Sequence, residues 1–146
     1  MWIHKRIVNK LIEYNAKGGD EQIMLEMRTE QHQINKNHPY YKLIDTYSFR
    51  SKNLYNYANY IVRQEFLNNN NYIKYREMDK MLNKTEPYKE LMSQASQCTL
   101  QVLDKNWKSY FMAIKDYWKN PHKYLGMPKI PNYKKKDGRF PWFLKK

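Results

Sequence analysis

The sequence contains one cysteine, four glycines and no long apolar run, and each shortage excludes a class of protein. Because Cys98 is alone, the chain cannot form an internal disulfide or a zinc site built from several cysteines. Four scattered glycines leave no glycine-rich phosphate-binding loop. No stretch approaches the roughly 20 apolar residues of a membrane span, so we expect no membrane association and a cytoplasmic location.

Acidic residues are also few, and their placement does not predict a catalytic site. Metal-assisted phosphoryl chemistry needs clustered carboxylates, which the sequence does not provide. Asp104 and Lys108 have instead the i, i+4 spacing of a helix-surface ion pair. The four histidines lack metal-ligand spacing. We therefore expect no catalytic residue, no metal and no cofactor, and we expect that this chain is not itself an enzyme.

Positive charge is abundant and is concentrated near the C-terminus. The chain has 27 lysines and arginines against 14 acidic residues, a net charge of +13. Residues 119–146 contain nine of those cations and only one acid, Asp137. A basic segment of this kind fits a nucleic-acid backbone, although it could also serve only to keep the protein soluble.

Two groups of polar residues are candidates for contact with nucleic acid. The first lies in the basic segment, where an aromatic ring accompanies the cations, and comprises Lys134, Lys135, Lys136, Arg139, Tyr133, Lys129 and Lys123. The second lies opposite the apolar stripe of a predicted helix and comprises Arg50, Lys52, Asn53, Asn56 and Arg63. Asparagine and arginine can contact phosphates or base edges, but the same residues could form an ordinary solvated helix face.

Aromatic residues are numerous, with 14 tyrosines, four tryptophans and five phenylalanines. Such rings can stack on bases, but they can equally build a core whose edges remain wet. Trp107, Tyr110 and Phe111 share helical spacing with Ile114, so we interpret these three as core residues. The aromatic residues of the basic segment remain open to either role.

Hydrophobic periodicity predicts helices between two extended regions. Residues 2–15 have near-helical spacing and precede Gly18-Gly19, which predicts a short N-terminal helix. Residues 22–34 alternate apolar and polar side chains, which predicts a strand. Helices are predicted over residues 39–67, where the asparagine run at 68–71 predicts a stop, and over residues 73–82 and 88–119. The apolar stripe of the first helix includes Leu54 and Ala58, and that of the last runs through Trp107 to Trp118. A lone strand needs partners, and the candidates are residues 130–135 and 139–144.

Three segments, taken together, resemble a known family. They are KNLYN at residues 52–56 with Arg63, LDKNWKSYF at residues 103–111, and GMPKIPNYKKKDGR at residues 126–139. In order and spacing, the region from Thr29 to Arg139 resembles the N-terminal portion of TnpB (OrfB) proteins of bacterial insertion sequences. These transposon-associated proteins are RNA-guided nucleases related to the type V CRISPR effectors. The resemblance covers about three quarters of the chain.

The resemblance implies a mostly α (α+β) fold, in which an antiparallel helical bundle is inserted between strands of a small, incomplete β wedge domain. The first wedge strand would occupy residues 21–36, the recognition-type bundle residues 37–121, and the basic return segment residues 122–146. Residues 1–20, predicted as a helical extension, have no counterpart in the family. The bundle has also been described in the family as a helix-turn-helix transposase domain.

The resemblance also implies a function in transposition and DNA recombination. In such proteins this half grips the guide RNA scaffold, the guide–target duplex and the short motif that flanks the target. The nuclease part, a RuvC-type trio of carboxylates that holds divalent metal ions plus a four-cysteine zinc element, lies C-terminal to the matched region. We therefore expect a truncated, catalytically incomplete nucleic-acid-binding module. The alternatives are one part of a complete RNA-guided DNA endonuclease and a helical protein-interaction module with a solubilising tail.

Overall fold

The computed structural model describes residues 2–12 and 23–141, with side chains described from residue 34 onward. The chain divides into two compact units, Met1–Lys42 and Leu43–Lys146. In the first unit, strands β1 (Trp2–Ile12) and β2 (Ile23–Gln33) pair antiparallel. The register places Trp2 opposite Gln33 and Ile12 opposite Ile23.

The predicted N-terminal helix is therefore wrong over residues 2–12, which form β1. This segment is rich in β-branched residues (Ile3, Ile7, Val8 and Ile12), which favour extended backbone. Pairing with β2 supplies the backbone hydrogen bonds that a strand needs. β2 lies where periodicity predicted a strand, but its partner comes from the N-terminal side rather than from the basic segment. The rest of the predicted extension, residues 13–20, lies outside the described residues.

The second unit is a helical bundle followed by an extended segment. Its helices are α1 (Tyr41–Asn69), whose first two residues belong to the first unit, α2 (Tyr75–Leu82), α3 (Glu86–Lys89) and α4 (Ser93–Lys119), and a 3₁₀ turn follows at Pro121–Lys123. Two long helices with shorter helical structure between them were predicted, and this arrangement is confirmed. The last predicted helix is split, because Met92 has an extended backbone (φ −62°, ψ 135°) that separates α3 from α4.

Helix α1 ends where the asparagine run at residues 68–71 predicted a stop. Asn70 has φ 52°, a left-handed conformation that asparagine tolerates better than most side chains. The chain then turns back toward α2. Within the described residues, no helix has both the length and the apolar character to cross a membrane.

The two long helices run in the same direction, contrary to the predicted antiparallel pair. Ser51 of α1 bonds Thr99 of α4 (3.0 Å between hydroxyl oxygens), and further along both helices the rings of Phe66 and Phe111 lie 5.5 Å apart. The segment that carries α2 and α3 runs the other way: Tyr72 contacts Asp104, whereas Tyr88 contacts Ser96. This return segment brings the chain back to the end of the bundle from which α1 started.

The core lies among the four helices and is dominated by Trp107, which is fully buried. Leu54, Val62 and Leu103 are also fully buried in the same cluster. The ring of Phe66 meets Trp107 edge-on at 5.3 Å. Tyr110 and Phe111 pack against this cluster, so the interpretation of these aromatic residues as core is confirmed.

The predicted β wedge domain is absent from the described residues, although the helical bundle is present. Residues 124–141 include extended backbone but pair with no described strand, and β2 pairs only with β1. The expected return strands at residues 130–135 and 139–141 are therefore wrong, and residues 142–144 lie outside the described residues. The physical reason is that side chains of α1 bond the backbone groups of this segment, so it needs no neighbouring strand.

Candidate nucleic-acid interface

Residues 128–141, here called the strap, lie along α1 in the opposite direction to the helix. Arg63 near the end of α1 bonds the carbonyl oxygen of Pro131, and Lys52 nearer its start bonds that of Lys136. The backbone N–H of Phe140 donates to the carbonyl oxygen of Ser48 at 3.0 Å. The strap is thus fixed in one register along about four turns of the helix.

Asn56 forms the most complete single contact with the strap. Its side-chain N–H₂ donates to the carbonyl oxygen of Lys134 at 2.9 Å, and the N–H of Lys134 donates back to the Asn56 Oδ1 at 2.8 Å. A side-chain amide presents the same donor and acceptor pair as a peptide group. Asn56 therefore replaces the β-strand neighbour that an extended backbone would otherwise require.

Asn59 links the strap to the core. It is fully buried, its Oδ1 accepts the indole N–H of Trp107 at 3.1 Å, and its Nδ2 donates to the Pro131 carbonyl oxygen at 3.0 Å. The same carbonyl also accepts from Arg63 at 3.0 Å. One asparagine therefore connects α1, α4 and the strap.

Lys52 is buried, with 4% of its surface exposed. Its ammonium donates to the Lys136 carbonyl oxygen at 2.6 Å and lies 3.9 Å from the centre of the Phe49 ring. A buried cation needs such compensation, and here a carbonyl dipole and an aromatic face supply it. Lys52 therefore holds the strap and is not presented to solvent.

The polar residues predicted on α1 thus mainly support the strap. Lys52, Asn56 and Arg63 all bond its carbonyl groups. Arg50 instead donates to the Glu90 carbonyl oxygen at 3.1 Å, with the Glu90 carboxylate 3.9 Å away. Asn53 lies half-buried on the same helix. Three of the five predicted residues therefore bond the strap, and Arg50 and Asn53 do not.

Two cations of the strap are also engaged by the protein. The Lys134 ammonium lies 4.8 Å from the centre of the Tyr55 ring and 5.1 Å from that of Phe140. Arg139 forms a two-bond ion pair with Asp45, with N–O distances of 2.7 and 2.8 Å. This guanidinium holds the pKa of the Asp45 carboxyl below its usual value.

The remaining strap cations face solvent. Lys135 and Lys136 are exposed at a tight turn that closes when the Gly138 N–H donates to the Lys135 carbonyl oxygen at 2.9 Å. Lys129 is exposed nearer the start of the strap, and Lys123 is exposed in the 3₁₀ turn before it. The structure therefore separates the predicted cations into those that anchor the strap and those that its fixed backbone presents to solvent.

Tyr133 is the aromatic residue of the strap that precedes these lysines. Its side chain is 45% exposed, and the Arg63 guanidinium lies 4.8 Å from its ring centre. The guanidinium covers the ring from the side of α1. Tyr133 thus remains accessible beside the exposed lysines.

A shallow groove of about 330 Å³ separates the strap from α4. One wall is a single face of α4, and Pro128, Lys129 and Pro131 of the strap form the other. The lining residues of α4 are Asn106, Ser109, Tyr110 and Ala113. The groove thus places Lys129 beside a face of α4 that carries Asn106, Ser109 and Tyr110.

Sequence reasoning missed a row of lysines on the outer face of α4. Lys105, Lys108, Lys115 and Lys119 recur at steps of three, seven and four residues, and all four are exposed. This spacing, which keeps residues on one helix face, could have revealed them. Only Lys108 has an ion-pair partner in the described residues, Asp104 at 2.6 Å, which confirms the predicted i, i+4 pair.

Asp104 is the most enclosed carboxylate of the second unit, but its surroundings are structural. It accepts hydrogen bonds from the Tyr72 hydroxyl at 2.7 Å and from the Tyr75 backbone N–H at 3.0 Å, beside the Lys108 ammonium. Burial raises the pKa of Asp104, but the bonds from Lys108, Tyr72 and Tyr75 outweigh it and place the pKa below 3.8. The carboxylate is therefore ionised, and its bonds to Tyr72 and Tyr75 hold the start of α2 against α4.

In the described residues, no group of three or more histidine, cysteine, aspartate or glutamate side chains could hold a metal ion. Cys98 is buried on α4, as expected for a small core residue. Comparison with protein-family models, curated proteins and solved structures finds no match for this chain.

Proposed function

We propose that this chain is a nucleic-acid-binding module of a TnpB-like, transposon-associated protein, acting in the cytoplasm without catalytic activity of its own. Its ligand is the sugar–phosphate backbone of RNA or DNA. The leading contacts are the exposed lysines Lys129, Lys135 and Lys136, extended by Lys123 and the ring of Tyr133.

One observation carries the proposal: the strap is bound through its backbone, and its exposed lysines are left free for a ligand. The contacts from Lys52, Asn56 and Asn59 all reach strap carbonyl groups and not strap side chains. An ordinary solubilising tail has no need of a fixed register. Lysines on a fixed backbone lose less conformational freedom when they bind phosphates, which favours affinity.

The three segments on which the resemblance rests pack together in the second unit. Asn56 of the first segment bonds Lys134 of the third, and Tyr55 of the first accepts a hydrogen bond from Asn106 of the second at 3.0 Å. Segments far apart in sequence thus meet at one place in the bundle.

A salt-dependent titration of the full chain with structured RNA and with duplex DNA tests the proposal. The variant replaces Lys129, Lys135 and Lys136 by glutamine. Each lost phosphate contact lowers the log–log salt slope by about 0.9 on duplex DNA and about 0.7 on single strands. We expect the slope to fall by roughly 2 to 3 units in the variant, with weaker binding at low salt.

A matched control removes the same charge elsewhere, by replacing Lys80, Lys84 and Lys89 with glutamine. These three lysines are exposed around α2 and α3. If both triple variants weaken binding equally, the affinity reflects net charge alone and the strap is not the site. If the folded chain binds neither ligand but binds an acidic protein, the protein-interaction alternative replaces the proposal.

A further inference from the structure

Trp118 has the largest exposed fraction of any tryptophan, tyrosine or phenylalanine in the described residues, at 71%. Helical spacing predicted it as the last member of the core stripe of α4, and that prediction is wrong. Trp107 on the same helix is fully buried, and α4 extends beyond the core before Trp118 is reached. Full burial of an aromatic side chain removes about 150–250 Å² of its surface from water. Because Trp118 stays mostly exposed, it contributes little of the stabilisation that such burial normally provides.

Neighbouring aromatic residues hold the exposed indole. The ring of Tyr117 meets Trp118 edge-on at 5.7 Å, and Tyr117 in turn packs edge-on against Tyr124 at 5.7 Å. The Tyr124 hydroxyl donates to Asp116 at 2.8 Å, which ties the start of the post-helix segment to α4. The indole is thus supported from one side while most of its surface remains in water.

The flanking residues of Trp118 are cationic. Lys115 precedes it by three residues and so lies beside it on the helix, and Lys119 follows it directly; both are exposed. The nearest acid in sequence, Asp116, accepts hydrogen bonds from the Tyr124 hydroxyl and from the Asn120 amide. Those hydrogen bonds, with Lys123 and Lys119 nearby, lower the pKa of Asp116. The Asp116 carboxylate therefore offsets one positive charge, and its oxygens already accept hydrogen bonds within the protein.

We propose that Trp118 is a stacking platform for an unpaired base of a single-stranded nucleic acid, with Lys115 and Lys119 contacting the adjacent phosphates. The inference rests on the proposed function and specifies part of its ligand. An indole provides a flat face on which any base can stack, and lysines beside it neutralise the backbone of the same strand. Paired bases inside a duplex have both faces covered, so the platform selects unpaired nucleotides.

The test uses the full chain, an unstructured uridine-rich RNA strand and the same strand annealed to its complement. Tryptophan emission reports stacking, and the anisotropy of a labelled strand reports affinity. We expect the single strand to quench the emission, and Trp118→Ala to remove that quenching and weaken single-strand binding about tenfold or more. Duplex binding should change little, and Trp118→Phe should recover part of the affinity.

Met112→Ala is the matched control, since Met112 is 72% exposed on the same helix and has no aromatic face. It should leave both readouts unchanged. If Trp118→Ala binds the single strand as tightly as the parent chain, the platform is overturned while the strap proposal stands. If the parent chain binds no nucleic acid at all, both fall together. Should Trp118→Ala prove unfolded by circular dichroism, a full loss of affinity in the folded Trp118→Phe variant also overturns the platform.

Discussion

Replacing Asn59 by leucine should reveal how strongly the strap is tied to the core. Leucine has a similar size but offers neither the acceptor for the Trp107 indole N–H (3.1 Å) nor the donor to the Pro131 carbonyl oxygen (3.0 Å). Pro131 would keep its bond from Arg63, so only the buried indole N–H is left without a partner. An unpaired buried donor costs about 1–3 kcal/mol and the lost second bond about 1 kcal/mol. We expect the free energy of unfolding to fall by about 2–4 kcal/mol.

The informative quantity is the coupling between Asn59 and Trp107. Trp107→Phe alone should also destabilise the chain, because it leaves a gap in the core and an unpaired Asn59 oxygen. In the double variant Asn59→Leu/Trp107→Phe neither orphaned group remains. The combined cost should therefore be smaller than the sum of the two single costs by about 1–3 kcal/mol.

Urea unfolding of the four proteins, followed by circular dichroism, measures this coupling. Tyr88→Phe provides a control partner for Asn59→Leu, since the Tyr88 hydroxyl bonds Asp79 at 2.7 Å and shares no hydrogen-bond partner with Asn59. That control pair should be additive to within about 0.5 kcal/mol. If the costs of Asn59→Leu and Trp107→Phe also add to within about 0.5 kcal/mol, the hydrogen-bond chain from α4 to the strap is refuted.

Three further predictions concern the strap and its support. Asn56→Ala removes both bonds to Lys134 and should cost about 1–3 kcal/mol, with faster hydrogen exchange at the Lys134 amide; unchanged exchange would contradict the contact. Asp104 has a lowered pKa, so its stabilisation is present above pH 3.8 and is lost as the pH falls through its folded-state pKa. Asp104→Asn should flatten the acid side of the stability profile, and a profile as steep as the parent's would contradict this role. Arg139→Ala should cost no more than about 1 kcal/mol and its effect should shrink with salt, because the pair with Asp45 is partly exposed; a larger, salt-independent loss in urea unfolding would contradict it.

The helices could be predicted from sequence because their apolar residues recur at steps of three and four. That pattern identified Leu54, Ala58 and Trp107 correctly, since all three are fully buried. It failed at Trp118, which is 71% exposed, because periodicity along a helix does not report whether a neighbouring element covers each position. It also failed to give the relative direction of α1 and α4, which depends on how the segment between them folds back.

The N-terminal segment shows a second limit of periodicity. Trp2–Ile12 has near-helical apolar spacing, yet it forms a strand, because its β-branched residues and an antiparallel partner favour extended backbone. Strand pairing depends on two segments, so the residue pattern of one segment alone does not predict it. The prediction of a β wedge domain also failed because the sequence of one segment does not reveal its partner. The strap looked like a strand without a partner, and its partner is a row of helix side chains.

The polar residues of α1 were predicted as contacts for nucleic acid, and the structure shows that three of them bond the strap backbone; contact of the set with nucleic acid stays a prediction. Lys52, Asn56 and Arg63 have the donors that recognise phosphates, and a strap carbonyl is an oxygen acceptor that the same donors satisfy. Lys52, Asn56 and Arg63 bond only backbone carbonyl and N–H groups of the strap. The path of the strap therefore does not depend on which exposed side chains it carries. The contacts of α1 therefore determine where the strap lies, and under the proposed function the exposed Lys135 and Lys136 contact the ligand. Substituting the first group should alter stability and affinity together, whereas substituting the second should alter affinity alone.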